Sequence, residues 1–197
     1  MSRLWISLLT FALVSPGCVP VTNPVGNIDK AEPDKELVGS WVSTKNPSDS
    51  VRFEVRAVKG VPKGMMPMTV LGISPERDPY WCFVSTVGKE KFGNLCMDHG
   101  GGKKEVLPNF AEAGAYERWA GSRARFYVVL RYTTGKDEIT LNFGDEKAYQ
   151  AVGREAKLKE PKDAPFETPV GWLASYIEKN GSDKIFPAEK EITFKRK

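Results

Sequence analysis

Histidine is almost missing from this chain, with a single residue, His99, in 197. It stands before Gly100-Gly101-Gly102, where no rigid shell can hold an imidazole, so it reads as an exposed loop residue rather than a base or ligand. Cysteine is scarce too: Cys18, Cys82 and Cys96 form no Cys-x-x-Cys, and Cys82 and Cys96 have no third or fourth ligand nearby to make a zinc site. There is no Gly-x-Ser-x-Gly and no His-Glu-x-x-His, and the run Gly100 to Lys104 lacks the spacing and the Ser/Thr of a phosphate loop. Carboxylates are plentiful (Asp34/Glu36, Glu76/Asp78, Asp137/Glu138), but they sit in turns and linkers and read as solvated. Enzymatic chemistry is therefore the least favoured class, and neither a cofactor nor a metal is expected.

Charge of one sign is also lacking. The chain carries a formal net charge of +4 with basic and acidic residues interspersed, and its basic blocks are short (Lys103-Lys104, Lys195-Arg196-Lys197). A nucleic-acid binder needs a clustered basic face, so nucleic acid is not an expected partner. No apolar run is long enough to cross a bilayer either. The stretch Leu4 to Val14 has eleven residues, against about 20 helical residues for a hydrocarbon core of roughly 30 Å.

What this stretch does have is the layout of an export signal. Arg3 precedes it, and Ser15-Pro16-Gly17 puts small residues at −3 and −1 before Cys18. Val14-Ser15-Pro16-Gly17-Cys18 resembles a bacterial lipobox, in which the cysteine is lipidated and becomes the new N-terminus. The resemblance implies a lipid on Cys18, a membrane-anchored cell-envelope address and a bacterial host. Cleavage before an unmodified Cys18 leaves a secreted or periplasmic protein as the alternative. Removing residues 1–17 takes away Arg3 and no acid, leaving a net charge of about +3.

With Cys18 carrying lipid, Cys82 and Cys96 remain as an even pair in an oxidising compartment, either as a disulfide or as two buried thiols. A hairpin turn centred on Lys89 makes them face each other. Centring it between Lys89 and Glu90 pairs Cys82 with Met97 instead.

After the signal (1–17), residues 18–37 contain three prolines and no hydrophobic period, and read as a tether of at most roughly 60 Å. Residues 38–197 form a single domain dominated by period-two alternation. Val51 to Ala57, Ala124 to Tyr132, Ile139 to Phe143, and Ile192 with Phe194 put apolar residues on alternate positions, as antiparallel strands with one wet face require. Weaker strand candidates are 39–44, 67–74, 80–87 and 92–97, which brings the total to about eight. Asp145 can cap a helix to about Leu158, and Thr168 with Pro169 can open another that stops at Asn180-Gly181. A helical turn is placed around Glu112 to Trp119. The stripe Trp172, Leu173, Tyr176 and Ile177 is expected to pack on the sheet.

About eight sequential antiparallel strands suit an up-and-down barrel, whose closure removes exposed edges. Leu37-Val38-Gly39-Ser40-Trp41-Val42 is similar to the Gly-x-Trp signature that opens the first strand of lipocalins and related calycin barrels. The resemblance implies that Trp41 closes one end of the barrel under a basic residue of the last strand. Parity with Ile192 and Phe194 makes that residue Arg196. The fold class expected is thus mainly β, a lipocalin-like barrel with one or two helices before its last strand.

The inward set read from parity is Phe53, Val55, Phe126, Val128, Leu130, Ile139, Leu141, Phe143 and Phe194. These residues can fill the barrel or line an apolar pocket. Tyr80, Trp81 and Phe83 put bulk on both faces of their strand, the outer groups packing under helices or forming a partner surface. Two functions follow: a non-enzymatic envelope protein acting through interaction with another envelope protein or in a structural role, and a carrier of a small lipid-like molecule inside the barrel.

Overall fold

Each of the four alternating stretches forms a strand with a buried inward face in the computed structural model, which describes residues 19–71, 79–98, 108–158 and 167–197. The export signal, Cys18, His99, Glu76, Asp78 and the Gly100 to Lys104 run lie outside the described residues. The strands are β1 (Val19–Val21), β2 (Gly39–Ser43), β3 (Ser50–Phe53), β4 (Met66–Leu71), β5 (Tyr80–Val87), β6 (Glu90–Asp98), β7 (Arg125–Thr134), β8 (Glu138–Asn142) and β9 (Glu191–Arg196). Helix α1 (Ala115–Gly121) precedes β7, while α2 (Glu146–Glu155) and α3 (Trp172–Asn180) lie between β8 and β9.

Strands β2 to β9 close into an eight-stranded antiparallel barrel. Each pairs with the next in sequence, and β9 returns to β2 with Trp41 opposite Arg196. One edge of β7 is shared. β8 covers it from Arg131 to Thr134, and β1 covers it from Tyr127 to Val129. β1 thus occupies backbone that β8 leaves open, from Tyr127 to Val129.

Two apolar cores result. Inside the barrel, Trp41, Phe53, Met66, Met68, Cys82, Leu95, Phe126, Val128, Leu130, Ile139, Leu141 and Phe194 pack as one cluster with their neighbours. Outside it, Trp81, Phe83, Phe92, Cys96, Tyr127 and Val129 face a second layer made by Val21, Val25, Phe110, Trp119, Tyr149, Val152, Leu173, Ile177, Ile185 and Phe186. Trp81 and Phe83 therefore lie beneath this layer. Its aromatic centre is Phe110, whose ring centroid lies 5.2 Å from Trp119, 5.4 Å from Tyr116 and 5.5 Å from Trp81. The Trp119 indole N–H donates to the Met97 carbonyl at 2.9 Å, which fixes α1 to the end of β6.

The tether reading of 18–37 is corrected from Val19 onward. Val21, Val25 and Leu37 are buried, and the Val25 amide donates to the side chain of Asn94, itself buried, at 2.8 Å. Thr22 and Asn23 are hydrogen-bonded to Thr168. Residues 19–37 are thus part of the folded domain, which is not confined to residues from Val38 onward. The same contacts correct the start of α3. Thr168 Oγ1 accepts the Asn23 amide at 3.2 Å and is not left to cap a helix, which begins after Gly171 instead. Asp145 does cap α2, accepting the Ala148 amide at 2.9 Å, and Gly181 (φ +77°) ends α3.

Candidate functional site

The barrel interior and its closed end are where the fold gathers the residues singled out from the sequence. Of the inward set, Phe53, Phe126, Val128, Leu130, Ile139, Leu141 and Phe194 are buried inside, and Phe143 is half-buried against them. Val55 is a correction: β3 ends at Phe53, so alternation no longer governs its side chain, which is 55% exposed. Parity extended one residue pair too far. Sequence reasoning missed Met66, Met68, Leu95 and Met97, which fill the same space. They sit on β4 and β6, strands buried on both faces over much of their length, where alternation gives no signal.

Trp41 is fully buried at the start of β2, and its indole N–H donates to the Leu37 carbonyl at 2.8 Å. The Arg196 guanidinium lies 4.2 Å from the Trp41 ring centroid and donates to the carbonyls of Val38 (3.2 Å) and Glu36 (3.4 Å). Gly39 explains why this motif contains a glycine. Its φ is +140°, and a Cβ there would come within 2.7 Å of Arg196 Nη1. The guanidinium crosses the space that any other residue would fill.

A polar clasp completes the same end. Asp34 receives hydrogen bonds from Lys91 (2.9 Å) and the Tyr132 hydroxyl (2.8 Å), and Glu36 receives them from Lys91 (2.7 Å) and Thr134 (2.5 Å). Burial works against the Asp34 charge, but the Lys91 and Tyr132 hydrogen bonds outweigh it and hold this carboxyl below its ordinary value. Burial, with Asp34 adding to it, raises Tyr132 far above the usual phenol range. Lys91 loses hydration but gains two carboxylates, and its pKa rises. Residues 34–37 are thereby drawn across the barrel mouth, with Leu37 inserted into the core.

Of the two alternatives for Cys82 and Cys96, a disulfide or two buried thiols, the structure has the second. The β5–β6 hairpin turns at Gly88-Lys89, so Val87 pairs with Glu90, Cys82 with Leu95, and Trp81 with Cys96. This register puts Cys82 inside the barrel and Cys96 in the outer core, on opposite faces of the wall. The Cys82 thiol donates to the Met66 carbonyl at 3.4 Å. Burial pushes Cys82 up to about 12 and Cys96 well above its ordinary value, so neither is a nucleophile near neutral pH.

Elsewhere, polar groups hold segments in place. Arg131 bridges Glu90 (3.5 Å), Asp183 (2.5 Å) and Glu191 (3.1 Å), pinning the segment after α3 to the outer wall. A groove of about 470 Å³ lies between residues 29–32, 60–63 and Tyr116. A polar hollow of about 300 Å³ is lined by Ser40, Ser50, Arg52, Glu54, Arg56, Thr69 and Lys197. Both lie outside the barrel. Among the described residues no three of His, Cys, Asp or Glu converge as a metal site, and no helix is long and apolar enough to cross a membrane. Comparison with protein families, with characterised proteins and with solved structures found no match.

Proposed function

We propose that this chain is an exported envelope protein, anchored through a lipid on Cys18, whose lipocalin-like barrel acts without chemistry by presenting its outer surface to another envelope protein. The observation that supports this reading is the state of the interior. Trp41, Phe53, Phe126, Ile139 and Phe194 occupy it together with three methionines, and the clasp at Asp34 and Lys91 draws chain across its mouth. Side chains of this bulk can fill an eight-stranded barrel without a guest. The titratable groups with strongly shifted pKa values also have structural explanations. Tyr132 holds Asp34, and Cys82 is simply buried.

Native mass spectrometry of the protein purified from its own host tests the proposal. The expected species is the chain from Cys18 onward plus the lipid mass and nothing more. A co-purifying lipid-like molecule overturns the filled-barrel reading in favour of a carrier. That second reading draws on Met66, Met68 and Met97, whose unbranched side chains can swing aside to admit an apolar ligand.

A further inference from the structure

We propose that the barrel lies directly against the bilayer, and that the turn Pro169–Trp172 is its membrane-contacting tip. The inference rests on the lipid anchor at Cys18 and adds which face of the domain meets the membrane. Its first support is the absence of slack. β1 begins at Val19, and all three of its residues are paired with β7. A lipid on Cys18 is therefore one residue, about 3.8 Å between Cα atoms, from a strand built into the barrel wall. Acyl chains that enter the hydrocarbon must bring that wall with them to the headgroup layer. A free tether of 18–37 would have let the domain stand off in any orientation.

The second support is what lies beside the anchor. Thr22 and Asn23, four and five residues beyond Cys18, are hydrogen-bonded to Thr168. Four extended residues reach about 13 Å, and two more from Thr168 to Val170 add at most about 7 Å. Val170 thus lies within about 25 Å of the lipid site, allowing for the hydrogen-bonded step. It is 88% exposed, the most exposed large hydrophobic among the described residues, and exposed Pro169 and half-buried Trp172 flank it. An apolar side chain standing in solvent beside a tryptophan is the composition that settles at a membrane–water interface. Tyr149 supports Trp172 from beneath at 6.3 Å between ring centroids, so the tip is carried on the outer core.

Position on the barrel supplies a control. Arg52 lies on β3, four strands round from β7 and therefore on the opposite wall, half exposed and polar in its surroundings. The test uses the full chain, processed by a bacterial host, with Val170→Cys or Arg52→Cys labelled with an environment-sensitive fluorophore. Cys82 and Cys96 are buried and do not compete for the label. The purified lipidated protein is reconstituted into vesicles of phosphatidylethanolamine and phosphatidylglycerol containing spin-labelled lipid. The label at 170 is expected to shift to the blue and to be quenched roughly threefold more than the label at 52. Equal quenching at the two positions, in protein whose N-terminal peptide carries the lipid mass, overturns the assignment of this face alone. An N-terminal peptide without lipid mass overturns the anchoring reading beneath it.

Discussion

Along β7 the residues from Phe126 to Leu130 are buried without a gap, whereas on β3 Arg52 stands exposed between buried Val51 and Phe53. The two strands lie across the barrel from each other, and the contrast extends to their neighbours. The outer face of β5, β6 and the first half of β7 is apolar and roofed by the N-terminal segment and the helices. The outer face of β2, β3 and β9 carries Ser40, Arg52, Lys195 and Lys197 and meets water. One wall is therefore a shared partition between two cores, and the other is the skin of one core only. Stability should be concentrated in the partition, which leaves the bare wall free to vary.

The largest expected effects test that asymmetry. Phe83→Ala, outside the barrel, should destabilise about as much as Phe126→Ala inside it, roughly 3–5 kcal/mol each, while Arg52→Ala on the bare wall stays within about 0.5 kcal/mol. Denaturant titration of the three variants measures this. A Phe83→Ala cost near that of Arg52→Ala would show that the outer layer is decoration.

A smaller effect, about 1–3 kcal/mol, is expected of Asn94→Ala, which removes the acceptor of the buried Val25 amide. Hydrogen exchange should show the Val25 amide losing protection in that variant while the amides of β3 keep theirs.

The clasp at the barrel mouth predicts a pH dependence. The Asp34 pKa is lower folded than unfolded, so its stabilisation is present above the ordinary carboxylate range and is lost as pH falls through the folded value. The parent should therefore exceed Asp34→Asn in stability by most near neutrality, with the gap closing below about pH 4. Thermal melts of both proteins across that range give the comparison. The smallest effect is Arg196→Ala, about 0.5–1 kcal/mol for an exposed cation over Trp41. Near-ultraviolet circular dichroism from the Trp41 environment should change even where the melting temperature barely moves.

The same contrast explains what could be read in advance. β3, β8 and β9 meet water on one face, so Phe53, Ile139, Leu141 and Phe194 announced themselves by alternation, and parity picked out Arg196 as the partner that the Gly-x-Trp resemblance implied for Trp41. β5 and β6 are buried on both faces over most of their length, and there the pattern fails to fix the register. A turn placed one residue or less too late at Gly88-Lys89 is enough to turn two thiols on opposite faces into an apparent pair. The N-terminal segment was illegible for another reason. Val21, Val25 and Leu37 are isolated apolar residues among prolines and polar groups. What orders them is Asn94, Thr168 and Tyr127, partners from distant parts of the chain that leave no local trace.

The pairing of β1 with β7 also has a kinetic side. Hairpins from β2 to β7 join neighbours and can form as the chain emerges, but Val19 waits for Val129, and Trp41 waits for Arg196. β1 thus precedes the barrel strands in the chain but stays unpaired until β7 is in place. Contacts of such long sequence separation slow folding. Until Arg196 arrives the barrel is an open sheet with two unpaired edges, so closure has to await the last strand, β9.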